Sequence, residues 1–245
     1  LSRVQLAPLV LAAALVPAQV ALCGVRWGRI AAALGSHIPA RRAVAEYALS
    51  TLLNQVLPGG MAGDAVRVWR RRHHEALGGA VQAALVDRWI GQWVHAVVTL
   101  LGVVVVGGMT ERSAVAVWLV VLTAVVGLPG AFGSALRRAI RVEGAGMTAL
   151  SAGLTASFLL GFALCGMALG EAPGLWVLAG VPLVLLAMSV PLSVGGWGLR
   201  EATAVVVLPR FGWTPEGALA LSALYGLTSL VGALPGGLAL LEADA

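Results

Sequence analysis

Val190-Pro191-Leu192-Ser193-Val194-Gly195-Gly196-Trp197-Gly198-Leu199-Arg200-Glu201 interrupts a segment that carries no other charge from Ala172 to Leu208. Proline removes a backbone N–H and the glycines favour turns over helix, so the helical ladder opens in the middle of apolar sequence. The piece after Glu201, Ala202 to Leu208, is far short of the ~20 residues needed to cross a hydrocarbon core. In lipid, opened backbone is tolerated only where protein or a water-filled cavity lines it. The stretch therefore predicts a helix hairpin that enters and leaves on one side of a membrane.

A second stretch has the same ingredients. Asn54-Gln55-Val56-Leu57-Pro58-Gly59-Gly60-Met61-Ala62-Gly63-Asp64-Ala65-Val66-Arg67 again sets a proline and a Gly-Gly pair after an apolar half-helix, then a further glycine, an acid and an arginine. Its apolar run, Tyr47 to Gly63, is short and also reads as a hairpin. Five other uncharged runs surround the two hairpins: Val4 to Val25, Trp89 to Thr110, Ser113 to Leu136, Gly144 to Gly170 and Gly217 to Leu241.

Composition agrees with a membrane chain. Of 245 residues, 59% are hydrophobic and 11% charged, where a soluble domain carries about 25% charge; mean hydropathy is +0.92. These values exclude a soluble globule, a disordered tail and a disulfide scaffold. All 16 basic residues are arginine, giving a net charge of +5. Most flank apolar runs and do not form one solvated patch, which argues against nucleic acid and for membrane orientation.

Eleven arginines fall on one side if the first run exits into the cytoplasm: Arg26, Arg29, Arg41, Arg42, Arg67, Arg70, Arg71, Arg72, Arg137, Arg138 and Arg141. Arg3, Arg112 and Arg210 fall outside. This bias predicts a multi-pass protein of the inner (cytoplasmic) membrane. It also opens the two hairpins to opposite faces, in the manner of an inverted repeat, with their tips meeting near the midplane. The expected fold is all-α, a polytopic helix bundle in a single domain, residues 1–245, that lacks an N-terminal helix.

Broken helices arranged in this way are how many transporters build a midplane site. Half-helices starting after Gly60 and Gly196 would aim unpaired N–H groups at an anion, with the backbone at Pro58, Gly59, Gly60, Gly63, Pro191, Gly195, Gly196, Trp197 and Gly198 shaping the cavity. Arg67 and Arg200 add full charges, and Asp64 can pair with Arg67 three residues on. An Arg-Glu pair within a membrane is costly and marks function. Asp87-Arg88 reads as the start of the Trp89 helix, where Arg88 either snorkels or meets a headgroup. Tyr225, Pro235 and Gly236 interrupt the last run and are candidate cavity lining. His73-His74-Glu75 is a poor metal set, because adjacent histidines point apart, and no metal or cofactor is expected. Without a Walker-type loop, ATP-driven pumping by this chain alone is not expected.

Together the motifs resemble a known family. Asn54, Leu57-Pro58-Gly59-Gly60, Gly63-Asp64 and Arg67, then Asp87-Arg88, Ser193 with Gly195-Gly196-Trp197-Gly198 and Arg200-Glu201, Ala220-Leu221-Ser222 with Leu224-Tyr225, and Leu234-Pro235-Gly236-Gly237 occur in order. This resembles the flippase-like membrane domain of the lysylphosphatidylglycerol synthase family, from about Arg26 onward, most specifically in the Ser193 to Glu201 block. The resemblance implies movement of an anionic, aminoacylated or polyprenyl-linked lipid across the bilayer. It implies headgroup contacts at Asn54, Asp64, Arg67, Arg88, Ser193, Arg200 and Glu201. The cytosolic aminoacyl-transfer domain of fused members is absent from this sequence, so no enzyme activity is carried over. Membrane lipids are the expected partners. Two other readings stand beside translocation: a scaffold for a glycosyltransferase or lipid-modifying enzyme, and a lipid-phosphate enzyme, for which no acid/base set appears at recognisable spacing.

Overall fold

The computed structural model describes residues 4–58, 60–72, 76–106, 129–188 and 194–244. Gly59, Pro191, Ser193, His73-His74-Glu75 and most of the Ser113 to Leu136 run lie outside them. Every regular element among the described residues is helical. In chain order they are α1, Leu6–Ala33; α2, Ala40–Val56; α3, Ala62–Arg71; α4, Leu77–Val106; α5, Pro129–Ala168; a π-helical turn, Trp176–Gly180; α6, Val181–Ala187; α7, Leu199–Val207; a 3₁₀ turn, Leu208–Phe211; α8, Pro215–Ala233; and a terminal 3₁₀ segment, Leu234–Asp244.

Among the described residues, three segments are long and apolar enough to cross a membrane: Leu6–Ala33, Gly133–Ala168 and Pro215–Ala239. Their outer faces carry bare apolar side chains, among them Leu6, Val10, Leu11, Leu160, Leu227 and Val231. A surface of that kind is stable against lipid and not against water. The protein is a membrane protein.

Several helices run past the ends of the uncharged stretches. α1 continues through Arg26 and Arg29, α4 begins ten residues before Asp87, and α5 passes through Arg137, Arg138 and Arg141. Arginine is a good helix former and stops nothing; a charge marks where lipid ends or where a buried partner waits, not where a helix ends. Asp87-Arg88 is therefore mid-helix, which corrects its expected place at a helix start. The π turn follows from Pro182, whose ring nitrogen cannot donate to the preceding turn, so that the Val181 N–H reaches back to the Trp176 carbonyl instead.

Among the described residues, beside a small cluster of Val16, Val20 and Ala233, the two largest apolar cores lie apart. One gathers Phe162, Cys165, Trp176, Val184, Leu208 and Leu221 around α5, α6 and α8; the other gathers Trp27, Ile30, Ala43, Val86, Ile90 and Met147 around α1, α2, α4 and α5. α1 packs against α2, α4, α5 and α8 and ties the two together. α3 reverses the usual amphipathic rule: its buried residues are Gly63, Arg67 and Arg71, one stripe at steps of four, while Trp69 is 58% exposed. The stripe can pack closely because Gly63 lies against the Ser50 carbonyl of α2, where any side chain would collide.

Candidate functional site

The site begins where the two broken segments meet. α2 stops at Val56 and Leu57 turns to extended backbone; Pro58 then pairs with Val194 in an antiparallel bridge. Gly60, Gly195, Gly196 and Gly198 all take positive φ, between 56° and 84°, a conformation that costs other residues energy and glycine nothing. Gly195 lies directly against the backbone of Gln55. Each break thus gives the other partners and packing for its opened backbone.

Beside this contact lies a cavity of ≈ 370 Å³. Of the residues singled out in the sequence, Asn54, Gly60, Asp64, Asp87, Arg88, Gly195, Gly196 and Tyr225 line it. A chain of alternating charges runs along its wall. Arg26 Nε donates to Asp87 Oδ1 at 2.8 Å and its Nη1 to Ser151 Oγ at 3.0 Å. Asp87 Oδ2 accepts from the Tyr47 hydroxyl at 3.3 Å and lies 3.7 Å from Arg67 Nη1. Arg67 Nη2 donates to Asp64 Oδ1 at 3.0 Å, and Arg88 Nη1 to Asp64 Oδ2 at 2.6 Å. Arg88 also reaches the Gly60 carbonyl, at 3.3 and 3.4 Å, and so pins the first break to α4.

Exposure sorts these guanidiniums into two roles. The Arg88 side chain is 26% exposed, whereas Arg26 and Arg67 are 7% and 1%. Arg67 sits behind the wall with its guanidinium 4.4 Å from the Trp27 ring and 4.5 Å from the Tyr47 ring. Its Nε and Nη1 have no oxygen acceptor; the two ring faces offset part of that loss. Arg67, expected among the headgroup contacts, is thus not part of the cavity lining. Asp64, three residues earlier and on the same helix face, holds it inward.

Arg200 and Glu201 form a separate pair. Arg200 is fully buried and donates to Glu201 Oε1 at 2.7 Å and to Ser222 Oγ at 3.1 Å, with Trp197 at 4.8 Å and Tyr225 at 5.8 Å. Glu201 Oε2 accepts from the Gly198 N–H at 2.6 Å and caps the start of α7. Likewise Asn54 Oδ1 takes the Gly63 N–H at 2.8 Å in the first turn of α3. Side chains of the chain itself therefore occupy donors expected to face an anion at both half-helix starts. Arg200, Glu201, Trp197 and Gly198 do not line the cavity, and neither do Gly63 and Pro58. Gly236 is pressed onto the Ala48 carbonyl of α2, and neither it nor Pro235 reaches the cavity. The terminal segment packs along α2, which corrects the expectation that these two residues line it. Gly59, Pro191 and Ser193 lie outside the described residues.

Two of the residues that escaped the sequence reading stand out. Arg26 was counted as an orientation marker but is buried, as are Arg67 and Arg71. Its signal was present: Gln19, Cys23 and Arg26 recur at helical spacing, a polar stripe in an apolar run, and all three line the cavity. Gly226 is the other, because the guanidinium of Arg200 fills the space where its side chain would be. Among the described residues no group of three His, Cys, Asp or Glu is placed to hold a metal.

Comparison with known proteins fits this geometry in part. The sequence pattern described as "Lysylphosphatidylglycerol synthase TM region" matches residues 1–146. The match takes in α1 to α4, the first break and the Arg26–Asp87–Arg67–Asp64–Arg88 chain. It ends before the Ser193 to Glu201 block, which looked the most specific part of the sequence. No curated protein and no solved structure matches the chain. With well over half of its residues matched, including every charge on the cavity wall, the chain belongs to the lysylphosphatidylglycerol synthase transmembrane-region family.

Proposed function

We propose that the protein moves a lipid across the cytoplasmic membrane, its headgroup passing through the cavity between the two breaks while the acyl chains stay in lipid. The observation that carries this reading is a chain of ion pairs joining three arginines and two aspartates beside two broken segments that touch, in a protein whose outer faces are apolar. Such charges are costly in a membrane and are retained where something polar must enter. In this reading α2–α3 and α6–α7 are re-entrant hairpins opening to opposite faces of one multi-pass domain, and the chain performs no covalent chemistry. Arg88 receives the headgroup, Asp64 holds Arg88 in place, and Arg67 and Arg26 supply fixed charge behind it. Arg200 and Glu201 act as a positioning pair for the second break.

The test is a reconstituted-vesicle assay in which a fluorescent anionic phospholipid is bleached from outside. Arg88→Ala is expected to slow movement at least tenfold, in line with the loss of a charged hydrogen bond worth about 1.5–3 kcal/mol. Its melting temperature in detergent should stay close to that of the parent, because Arg88 is partly exposed and Asp64 keeps Arg67 and Ser50 as partners. An unchanged rate would remove Arg88 from the path. Loss of a partner enzyme's activity, with no lipid movement by the pure protein, would favour the scaffold reading.

A further inference from the structure

We infer that the cavity is matched in charge to a lipid with a single phosphodiester and an uncharged, hydroxyl-bearing head, and that it discriminates against aminoacylated lipid. The inference rests on the reading that lipid headgroups enter this cavity, and it deepens that reading.

The first argument is the charge of the wall. Arg26, Arg67 and Arg88 stand against Asp64 and Asp87, which leaves one positive charge uncompensated. His95 lines the same cavity and can only add to the excess. The pairs Arg200–Glu201 and Arg42–Glu46 are each neutral in themselves. A site with one surplus positive charge is completed by a monoanion. A lysine ester of a phosphodiester lipid is a net cation and would increase the imbalance.

The second argument is how fully the carboxylates are engaged. An ammonium group in this cavity would need a free carboxylate, and the wall offers none. Asp87 takes Arg26 and the Tyr47 hydroxyl and lies beside Arg67. Asp64 takes Arg67, Arg88 and the Ser50 hydroxyl. Much of the remaining polar lining is amide or hydroxyl, including Gln19, Thr51, Asn54, Gln92 and Ser229. Amides and hydroxyls of this kind solvate a glycerol or sugar head, with the phosphodiester on Arg88, the most exposed guanidinium of the chain of charges.

The test is equilibrium binding to the detergent-purified full chain, read by native mass spectrometry. Dioctanoyl phosphatidylglycerol, its lysine ester and dioctanoyl phosphatidylethanolamine are compared. Phosphatidylglycerol is expected to bind at least tenfold tighter than the lysine ester. In Arg88→Gln, which removes the surplus charge, its advantage over the zwitterion should fall to about twofold or less. Equal or tighter binding of the lysine ester, or an unchanged advantage in Arg88→Gln, would overturn the inference. Inorganic phosphate and glycerophosphoglycerol share the head chemistry without acyl chains, and are expected to bind at least a hundredfold more weakly. Binding as tight as the lipid's would overturn the assignment to a lipid. Because the assay reads binding and not movement, a chain that fails to translocate lipid can still pass it, and the two readings fail separately.

Discussion

Asp87→Ala is expected to be the most damaging single substitution in the protein. Asp87 is 1% exposed and is the partner that Arg26 and Arg67 share, at 2.8 and 3.7 Å. Its loss leaves Arg26 with only the Ser151 hydroxyl and strips Arg67, already short of acceptors, of its second counter-charge. Breaking a buried ion pair from one side costs about 3–5 kcal/mol, enough to lower the melting temperature in detergent by roughly 10 °C. The physical cause can be isolated. The double variant Arg26→Leu/Asp87→Leu removes both charges of this buried pair and is expected to recover most of the lost stability, though not lipid movement. If Asp87→Ala melts like the parent, the chain of charges is not holding α1 to α4.

Gly226→Ala is expected to come close behind, although it adds one methyl. The new carbon would fall on Arg200 Nη2 and within 2.9 Å of both Arg200 Cζ and the Trp197 ring. Arg200 is fully buried and held by Glu201 and Ser222, so it cannot step aside without giving up those bonds. Overpacking alone costs about 1–3 kcal/mol, and a displaced guanidinium adds to it. Since Arg200 and Trp197 belong to the second break, lipid movement should fall together with stability. A companion Arg200→Met should relieve the clash, so that the double variant is more stable than Gly226→Ala alone. Additive losses would show that the methyl and the guanidinium do not compete for the same space.

What could be read from the sequence divides along physical lines. Local chemistry was legible: Pro58 and the glycines announce the first break, Gly195, Gly196 and Gly198 the second, and the Asp64–Arg67 pair follows from helical spacing. Long-range pairing was not. Nothing near Arg26 in the sequence says that its partner is Asp87, 61 residues away, and an arginine at the end of an apolar run looks the same whether it meets water or a buried aspartate. For the same reason, charge misplaced the ends of α1, α4 and α5. The direction of the α3 stripe was hidden as well, because a helix bearing Arg67, Arg70, Arg71 and Arg72 looks like a solvated one until Gly63 is seen against Ser50. Arg67 and Arg200 were identified as exceptional; that they are buried depends on the rings of Trp27, Tyr47, Trp197 and Tyr225, which come from three helices and the turn before α7.

The central claim is that a headgroup passes where the two breaks touch, and a reversible lock at that contact tests it most directly. Pro58 and Val194 are bridge partners, and the Cα separation of such a pair, about 4.5–5.5 Å, falls within the range a disulfide spans. In a chain freed of Cys23 and Cys165 by alanine, Pro58→Cys/Val194→Cys should form a disulfide on oxidation. Oxidised protein in vesicles is expected to lose lipid movement at least tenfold and to regain it on reduction, with neither single-cysteine chain affected. Movement that continues at the parent rate with the disulfide fully formed would contradict the account, since the lipid would then be taking another route.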